Sequence, residues 1–152
     1  MRKLLILVLA FSVMASVAAF AQDMSQGGGT MKAADAPLKN IKGWVKADGD
    51  KLMAVLPADH RVDLAKFKKA TGKRAALATE TDFKELFPDC AVGTMPPFGG
   101  LYNVATFVDQ SLTGDEFIVF EAGTHQDAIK MAYGDYVKLA KPTVAEFAVK
   151  MA

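Results

Sequence analysis

The sequence predicts a mixed-sheet α/β domain. Strand-like and helix-like segments alternate irregularly along the chain, which disfavours both a sandwich and a bundle. An Asp-Gly pair at Asp48-Gly49 marks a tight hairpin between two extended segments. The 152 residues, 51% of them apolar, suffice for one core and are incompatible with general disorder.

The elements follow in order. Met1–Ala21 begins with Arg2 and Lys3, continues uncharged from Leu4 to Phe20, and ends in Ala19-Phe20-Ala21 ahead of Gln22. This is the layout of a secretory signal peptide, so export is expected, to the periplasm if the source is bacterial. No stable membrane span is expected after cleavage. Residues 22–38 include Gly27-Gly28-Gly29 and read as a flexible linker. The compact domain is expected over residues 39–152.

Within it, Ile41–Lys46 and Lys51–Leu56 read as hairpin strands, the second an apolar run ended by Pro57. Asp63–Thr71 has Leu64, Phe67 and Thr71 at helical spacing, with Gly72 positioned to close it. Ala75–Ala78 reads as a short buried strand. Thr79 can cap a following helix carrying Phe83, Leu86 and Phe87 and ended by Pro88. Cys90–Gly100, rich in Gly and Pro, is a loop. Tyr102–Asp109 and Glu116–Glu121 are strand candidates. Thr124–Leu139 reads as a helix capped by Thr124 and Asp127 and kinked at Gly134. Val144–Val149 fits a strand or a helix.

Charge and composition exclude several function classes. With 18 basic and 17 acidic side chains, the whole chain is no basic nucleic-acid coat. Cleavage after Ala21 would leave 16 basic and 17 acidic side chains, a net charge of −1. One Cys and two His argue against a structural zinc site, and Cys90 cannot form an internal disulfide. The nucleophile elbow, the phosphate-binding loop and the His-Glu-x-x-His helix are missing from the sequence.

Four features remain. Cys90 with His125 has the chemistry of a thiol nucleophile, although a small buried Cys beside Pro88 explains it as well. Lys66, Lys68, Lys69, Lys73 and Arg74 put five cations in nine residues. They suit phosphates, and equally the C-terminal end of a helix dipole. Gly93-Thr94-Met95-Pro96-Pro97 is a fixed turn whose main-chain N–H groups can face an oxygen. Gly123-Thr124-His125 joins a strand to an expected helix start, with an imidazole nearby. His60 has no such setting and reads as a surface residue.

These motifs occur in a series: Met53-Ala54-Val55-Leu56-Pro57-Ala58, Arg61-Val62-Asp63, Phe87-Pro88-Asp89-Cys90-Ala91-Val92-Gly93, Met95-Pro96-Pro97-Phe98-Gly99, Val108-Asp109 with Ser111-Leu112, and Ala122-Gly123-Thr124-His125. From residue 52 to about 142 the chain resembles the YbaK/prolyl-tRNA-synthetase-associated domain family of aminoacyl-tRNA deacylases. The resemblance implies a partly barrel-like mixed sheet flanked by helices. It also implies hydrolysis of the ester between an amino acid and the tRNA 3′ adenosine, without metal or cofactor, the partner being a tRNA 3′ end or a related aminoacyl ester. The family's Gly-x-x-x-Pro loop falls on Gly93 to Pro97, and its Gly-(Ser/Thr)-His element on Gly123, Thr124 and His125. Its lysine falls on Lys42, with Lys39 in reserve. Lys42, Gly93 and His125 are thereby expected in catalysis. Thr94, Met95, Pro96, Pro97, Gly123 and Thr124 are expected against the substrate. Family members carry a helical section with a His-Pro segment ahead of the lysine strand, where this chain has the leader and linker. The alternative is an exported, shortened relative that binds a small molecule or nucleotide without turnover.

Overall fold

The computed structural model describes residues 29–32 and 40–152. The expected leader lies outside them, as does Lys39. Gly29–Lys32, inside the stretch expected to be linker, forms strand β1. Among the described residues, no helix is long and apolar enough to cross a membrane.

The hairpin is where Asp48-Gly49 places it. Strands β2 (Asn40–Ala47) and β3 (Asp50–Pro57) pair antiparallel across a turn with φ of 52° at Asp48 and 91° at Gly49. Positive φ at both central residues suits the right-handed twist of the strands, and Asp-Gly tolerates it. Pro57 is the last residue of β3 rather than its stop. Leu52 to Leu56 are all buried because β3 is central and covered on both faces.

A five-stranded sheet has the order β5–β2–β3–β6–β9, with β5 at Ala75–Leu77, β6 at Ala105–Asp109 and β9 at Thr143–Ala145. The β3–β6 and β6–β9 pairs are parallel and the others antiparallel, so the sheet is mixed as expected. No barrel closes among the described residues; the strands divide into three separate sheets. β5 is an exposed edge, not a buried strand: Ala76 and Leu77 face solvent.

On one face of this sheet, Leu52, Ala54 and Leu56 pack against Phe67 of helix α1 (Leu64–Thr71) and against Phe147. The Phe67 ring meets Phe107 and Phe147 edge-on, with centroids 5.4 and 5.5 Å away. The α1 ends match their sequence signals. The Asp63 carboxylate accepts from the N–H groups of Ala65 and Lys66 at 2.9 and 3.0 Å, and Gly72 closes the helix at φ 74°. The β4 strand (His60–Val62) pairs with β10 (Ala148–Lys150) in a two-stranded ribbon on this side. The undecided segment Val144–Val149 is thus the end of one strand and most of another.

On the opposite face, Met53 and Val55 pack with Phe87, Met95 and Phe120. A three-stranded antiparallel sheet of β1, β8 (Asp127–Ala132) and β7 (Phe117–Glu121), in that order, covers this core through Ile118 and Phe120 of β7. Thr79 stands at the start of the helix as expected, but its N–H and hydroxyl both donate to the Asp82 carboxylate, at 2.8 and 2.7 Å, so Asp82 rather than the Thr79 oxygen supplies the acceptor. The helix they start, α2 (Glu80–Phe83), lasts one turn and continues as a 3₁₀ turn over Lys84–Leu86. A second 3₁₀ turn covers Gly99–Tyr102, so the strand expected from Tyr102 begins only at Ala105.

The largest departure is residues 124–139. Asp127–Ala132 is strand β8, and only Tyr133–Ala140 is helical, as α3. Ala, Lys and Met in this stretch suit a helix, but β8 pairs with β7 on one edge and β1 on the other. It also turns Ile129 and Met131 to the core at period two. Two ladders outweigh a weak local preference. Thr124 and Asp127 do bond reciprocally, at 2.8 and 3.1 Å, but they close the β7–β8 hairpin and cap no helix. Gly134 lies in the first turn of α3, so no helix precedes it for it to kink.

Candidate functional site

Two glycine turns meet on the face covered by the three-stranded sheet. The first spans Ala91–Thr94, where Gly93 takes φ 86°. The second follows β7, where Gly123 takes φ 90°. Main-chain hydrogen bonds lace them together. The Ala91 N–H donates to the Gly123 carbonyl at 2.9 Å, and the Gly123 N–H donates to the Thr94 carbonyl at 2.8 Å. Within the first turn, the Thr94 N–H and hydroxyl both donate to the Ala91 carbonyl, at 3.1 and 2.7 Å. Gly93 stands exposed at the crest, while Thr94 is fully buried beneath it.

The loop after Gly93 is anchored at several points. Met95 and Pro97 are buried, Met95 within the core, and Pro96 is half-buried. The Phe98 ring packs edge-on against Phe120 and Tyr136, both at 5.6 Å. The Gly99 N–H donates to the Thr106 hydroxyl at 3.1 Å. A Cβ on Gly99 would lie 2.5 Å from that hydroxyl and 2.5 Å from the Val104 carbonyl oxygen. Gly99→Ala is therefore expected to destabilise the chain by about 1–3 kcal/mol, read as a lower denaturant midpoint.

Cys90 sits against the second turn. Its Sγ lies 3.7 Å from where a Gly123 Cβ would project and 3.9 Å from the Tyr102 hydroxyl. Burial pushes the Tyr102 phenol up, and the contact with Cys90 adds to this. The Cys90 thiol is directed to the Tyr102 hydroxyl and the His125 ring to Glu121, so no hydrogen bond joins Cys90 to His125 among the described residues.

His125 is on a hairpin tip rather than at a helix start. Its side chain is 66% exposed, with Nδ1 3.7 Å from a carboxylate oxygen of Glu121. The i,i+4 spacing of Glu121 and His125 was visible in the sequence but carried no meaning until the segment became a hairpin. The Thr124 hydroxyl is committed to Asp127.

Lys42 pairs with Val55, and Val55 with Val108, so one row across the five-stranded sheet contains all three positions. Val55 and Val108 belong to the core on the glycine-turn side, which puts position 42 on the same sheet face. Position 46, four residues on, shares that face, and Lys46 forms an ion pair there with Asp82. Lys46 and the Thr79 donors hold the Asp82 carboxyl down at about 2. β2 also runs against β7, the strand that leads to Gly123.

Half-buried Tyr133 and buried Tyr136 in α3 carry buried hydroxyls with no hydrogen-bond partner among the described residues, and burial pushes both phenols up. Asp109 is a further group the motif left without a role. Its carboxylate, 3% exposed, joins the end of β6 to the chain's last strands. Among the described residues, no three His, Cys, Asp or Glu side chains gather as metal ligands.

Comparison with known proteins bears on the family and the fold. The aminoacyl-tRNA editing domain family matches residues 21–139. The multifunctional Ser/Thr-tRNA deacylase ProXp-y of Escherichia coli K12 is 31% identical over 108 residues, which is 68% of this chain and 64% of that protein. The chain thus spans under two thirds of the length of the curated relatives it matches. Among solved structures, hypothetical protein APE2540 superposes with a TM-score of 0.72 at 18% identity, covering 88% of this chain and 99% of the other. A structure assigned as a trans-editing enzyme for prolyl tRNA synthetase gives a TM-score of 0.66 at 20% identity, covering 79% and 76%. The family model matches most of the sequence and the mixed fold agrees with the solved structures, so the chain belongs to the aminoacyl-tRNA editing domain family.

Proposed function

We propose that the chain is an aminoacyl-tRNA deacylase that hydrolyses the ester between an amino acid and the tRNA 3′ adenosine. The observation that carries this reading is the lacing of the Gly93 and Gly123 turns on the sheet face that holds position 42. An aminoacyl ester is already activated, so a strong nucleophile is unnecessary. Water attacks the ester carbonyl, the carbon–oxygen bond to the ribose breaks, and a proton passes to the ribose oxygen. The products are free amino acid and a tRNA 3′ hydroxyl.

In this reading, the main chain around Gly93 orients the carbonyl and stabilises the charge that develops on its oxygen. Lys42 supplies a cation to the ribose and phosphate of the 3′ end. Gly123 and Thr124 hold the second turn against the first, and His125 borders the substrate from the hairpin tip. Thr94, Met95, Pro96 and Pro97 form the floor under the crest, and the bulk of Met95 and Pro97 sets the amino-acid size accepted.

The chain incubated with a panel of mischarged tRNAs is expected to release amino acid faster than the uncatalysed reaction for at least one of them. Binding without release would favour the non-catalytic module. Export, the alternative that the leader-like start raises, would change the substrate. The family match starts at residue 21, beside the expected cleavage point after Ala21. N-terminal sequencing of the protein from its source decides it: a start at Gln22 would assign the hydrolase to an exported aminoacyl ester rather than to cytosolic tRNA.

A further inference from the structure

We propose that the main-chain N–H of Val92 is a catalytic group, the donor that receives the negative charge developing on the ester carbonyl oxygen. This rests on the deacylase reading above and names one donor within it. It comes from following each N–H of the first glycine turn to its acceptor. Ala91, Val92, Gly93 and Thr94 form a β-turn, closed by the Thr94 N–H on the Ala91 carbonyl at 3.1 Å. Gly93 at φ 86° in third place, after Val92 at negative φ, makes it a type II turn. Such a turn uses the carbonyl of its first residue and the N–H of its fourth. The two central N–H groups are left to other partners.

One donor within reach of solvent remains. The Ala91 N–H is committed to the Gly123 carbonyl at 2.9 Å, and the Thr94 N–H closes the turn. Gly93 has a partner of its own. Pro96 and Pro97 have no N–H, and the Phe98 N–H donates back to the Pro96 carbonyl at 2.8 Å. The N–H groups of Val92 and Met95 form no hydrogen bond among the described residues. Met95 is 1% exposed and lies beneath the turn, whereas Val92 is 40% exposed on the crest. An ester arriving from solvent therefore meets the N–H of Val92. The donor is also fixed beforehand. The Gly123 turn holds both ends, through the Ala91 N–H and through the Thr94 carbonyl, which accepts from the Gly123 N–H at 2.8 Å. The Thr94 hydroxyl adds a second bond to the Ala91 carbonyl at 2.7 Å. A dipole held in place needs no reorganisation as charge develops, and so favours the transition state over the ground state.

Val92→Pro removes this N–H and little else. Proline is the favoured residue at the second position of a type II turn, so the thermal midpoint is expected to hold or rise. The variant is expected to release amino acid from mischarged tRNA with kcat lowered about 10²-fold and KM little changed. Val92→Ala, which keeps the N–H and loses the side chain, is expected to lose far less. Full activity in Val92→Pro would overturn the proposal, as would equal losses in the two variants. Should Val92→Pro fail to fold, incorporating the α-hydroxy analogue of valine at position 92 replaces the amide by an ester and keeps the side chain. It is expected to show the same fall in kcat, and an undiminished rate would again overturn the proposal. A second readout is independent of turnover. On adding a 3′-aminoacylamido-3′-deoxyadenosine, whose amide keeps the carbonyl and resists hydrolysis, the Val92 amide proton resonance is expected to move downfield. That shift without amino-acid release by the parent would uphold the donor and defeat the deacylase reading. Release by the parent, with no shift and no loss in Val92→Pro, would defeat the donor alone. Neither release nor shift would defeat both.

Discussion

Asp109→Ala is expected to cost about 3–5 kcal/mol, enough to unfold much of the population of a marginally stable domain. The Asp109 carboxylate accepts from the Phe147 and Ala148 N–H groups at 2.8 and 2.7 Å, and from the Ser111 N–H and hydroxyl at 2.9 and 2.6 Å. Alanine would leave two buried main-chain donors without an acceptor where β9 turns into β10. It would thus loosen Phe147, which is buried beneath α1. The same group predicts acid sensitivity. Burial alone would raise the carboxyl, but the Ser111 hydroxyl and three main-chain donors together hold it below its ordinary value of 3.8. As pH falls, the unfolded chain takes up this proton first. The stabilisation is therefore complete above about pH 4 and is lost as the pH falls through the lower folded value. Urea unfolding at pH 7 should show the loss in the variant. Between pH 5 and pH 2 the parent should lose stability more steeply than Asp109→Asn, whose amide does not titrate there.

Gly93→Ala is expected to lower kcat/KM for ester hydrolysis by about 10²-fold while costing stability only about 1–2 kcal/mol. The two effects have separate origins. At φ 86° an L-residue is strained, which accounts for the stability loss. Among the described residues, nothing lies within 4 Å of the position the new Cβ would take, so the core is undisturbed. That methyl group would stand on the exposed crest where the substrate carbonyl is proposed to approach. Parallel melting curves and steady-state rates on one mischarged tRNA check both halves. A stability loss with full activity would remove Gly93 from the reaction.

How much was legible in the sequence depended on the range of the interactions involved. The hairpin and the α1 caps are each decided within a few residues, by Asp48-Gly49, Asp63 and Gly72. All of these fell where local chemistry put them. The apolar run of β3 announced burial on both faces. Residues 127–132 misled because one partner, β1, lies far back in a stretch expected to be linker, while the nearby β7 looks equally able to lead into a helix. The Thr124–Asp127 pair looks alike in sequence whether it opens a helix or closes a hairpin. Both glycine turns of the site were identifiable one at a time. Their lacing, from Ala91 to Gly123 and from Gly123 to Thr94, joins segments some thirty residues apart and has no local signature. Asp109 stood within a quoted motif, but its partners Phe147 and Ala148 lie nearly forty residues on, so its anchoring role became readable only in the fold.

The most direct test is the rate of amino-acid release from mischarged tRNA by Lys42→Ala beside the parent chain, with matched thermal midpoints. A cation supplied from position 42, as proposed, predicts a fall of about 10²-fold in kcat/KM. An undiminished rate would mean that the ester is cleaved, if at all, somewhere other than between these two turns and strand β2.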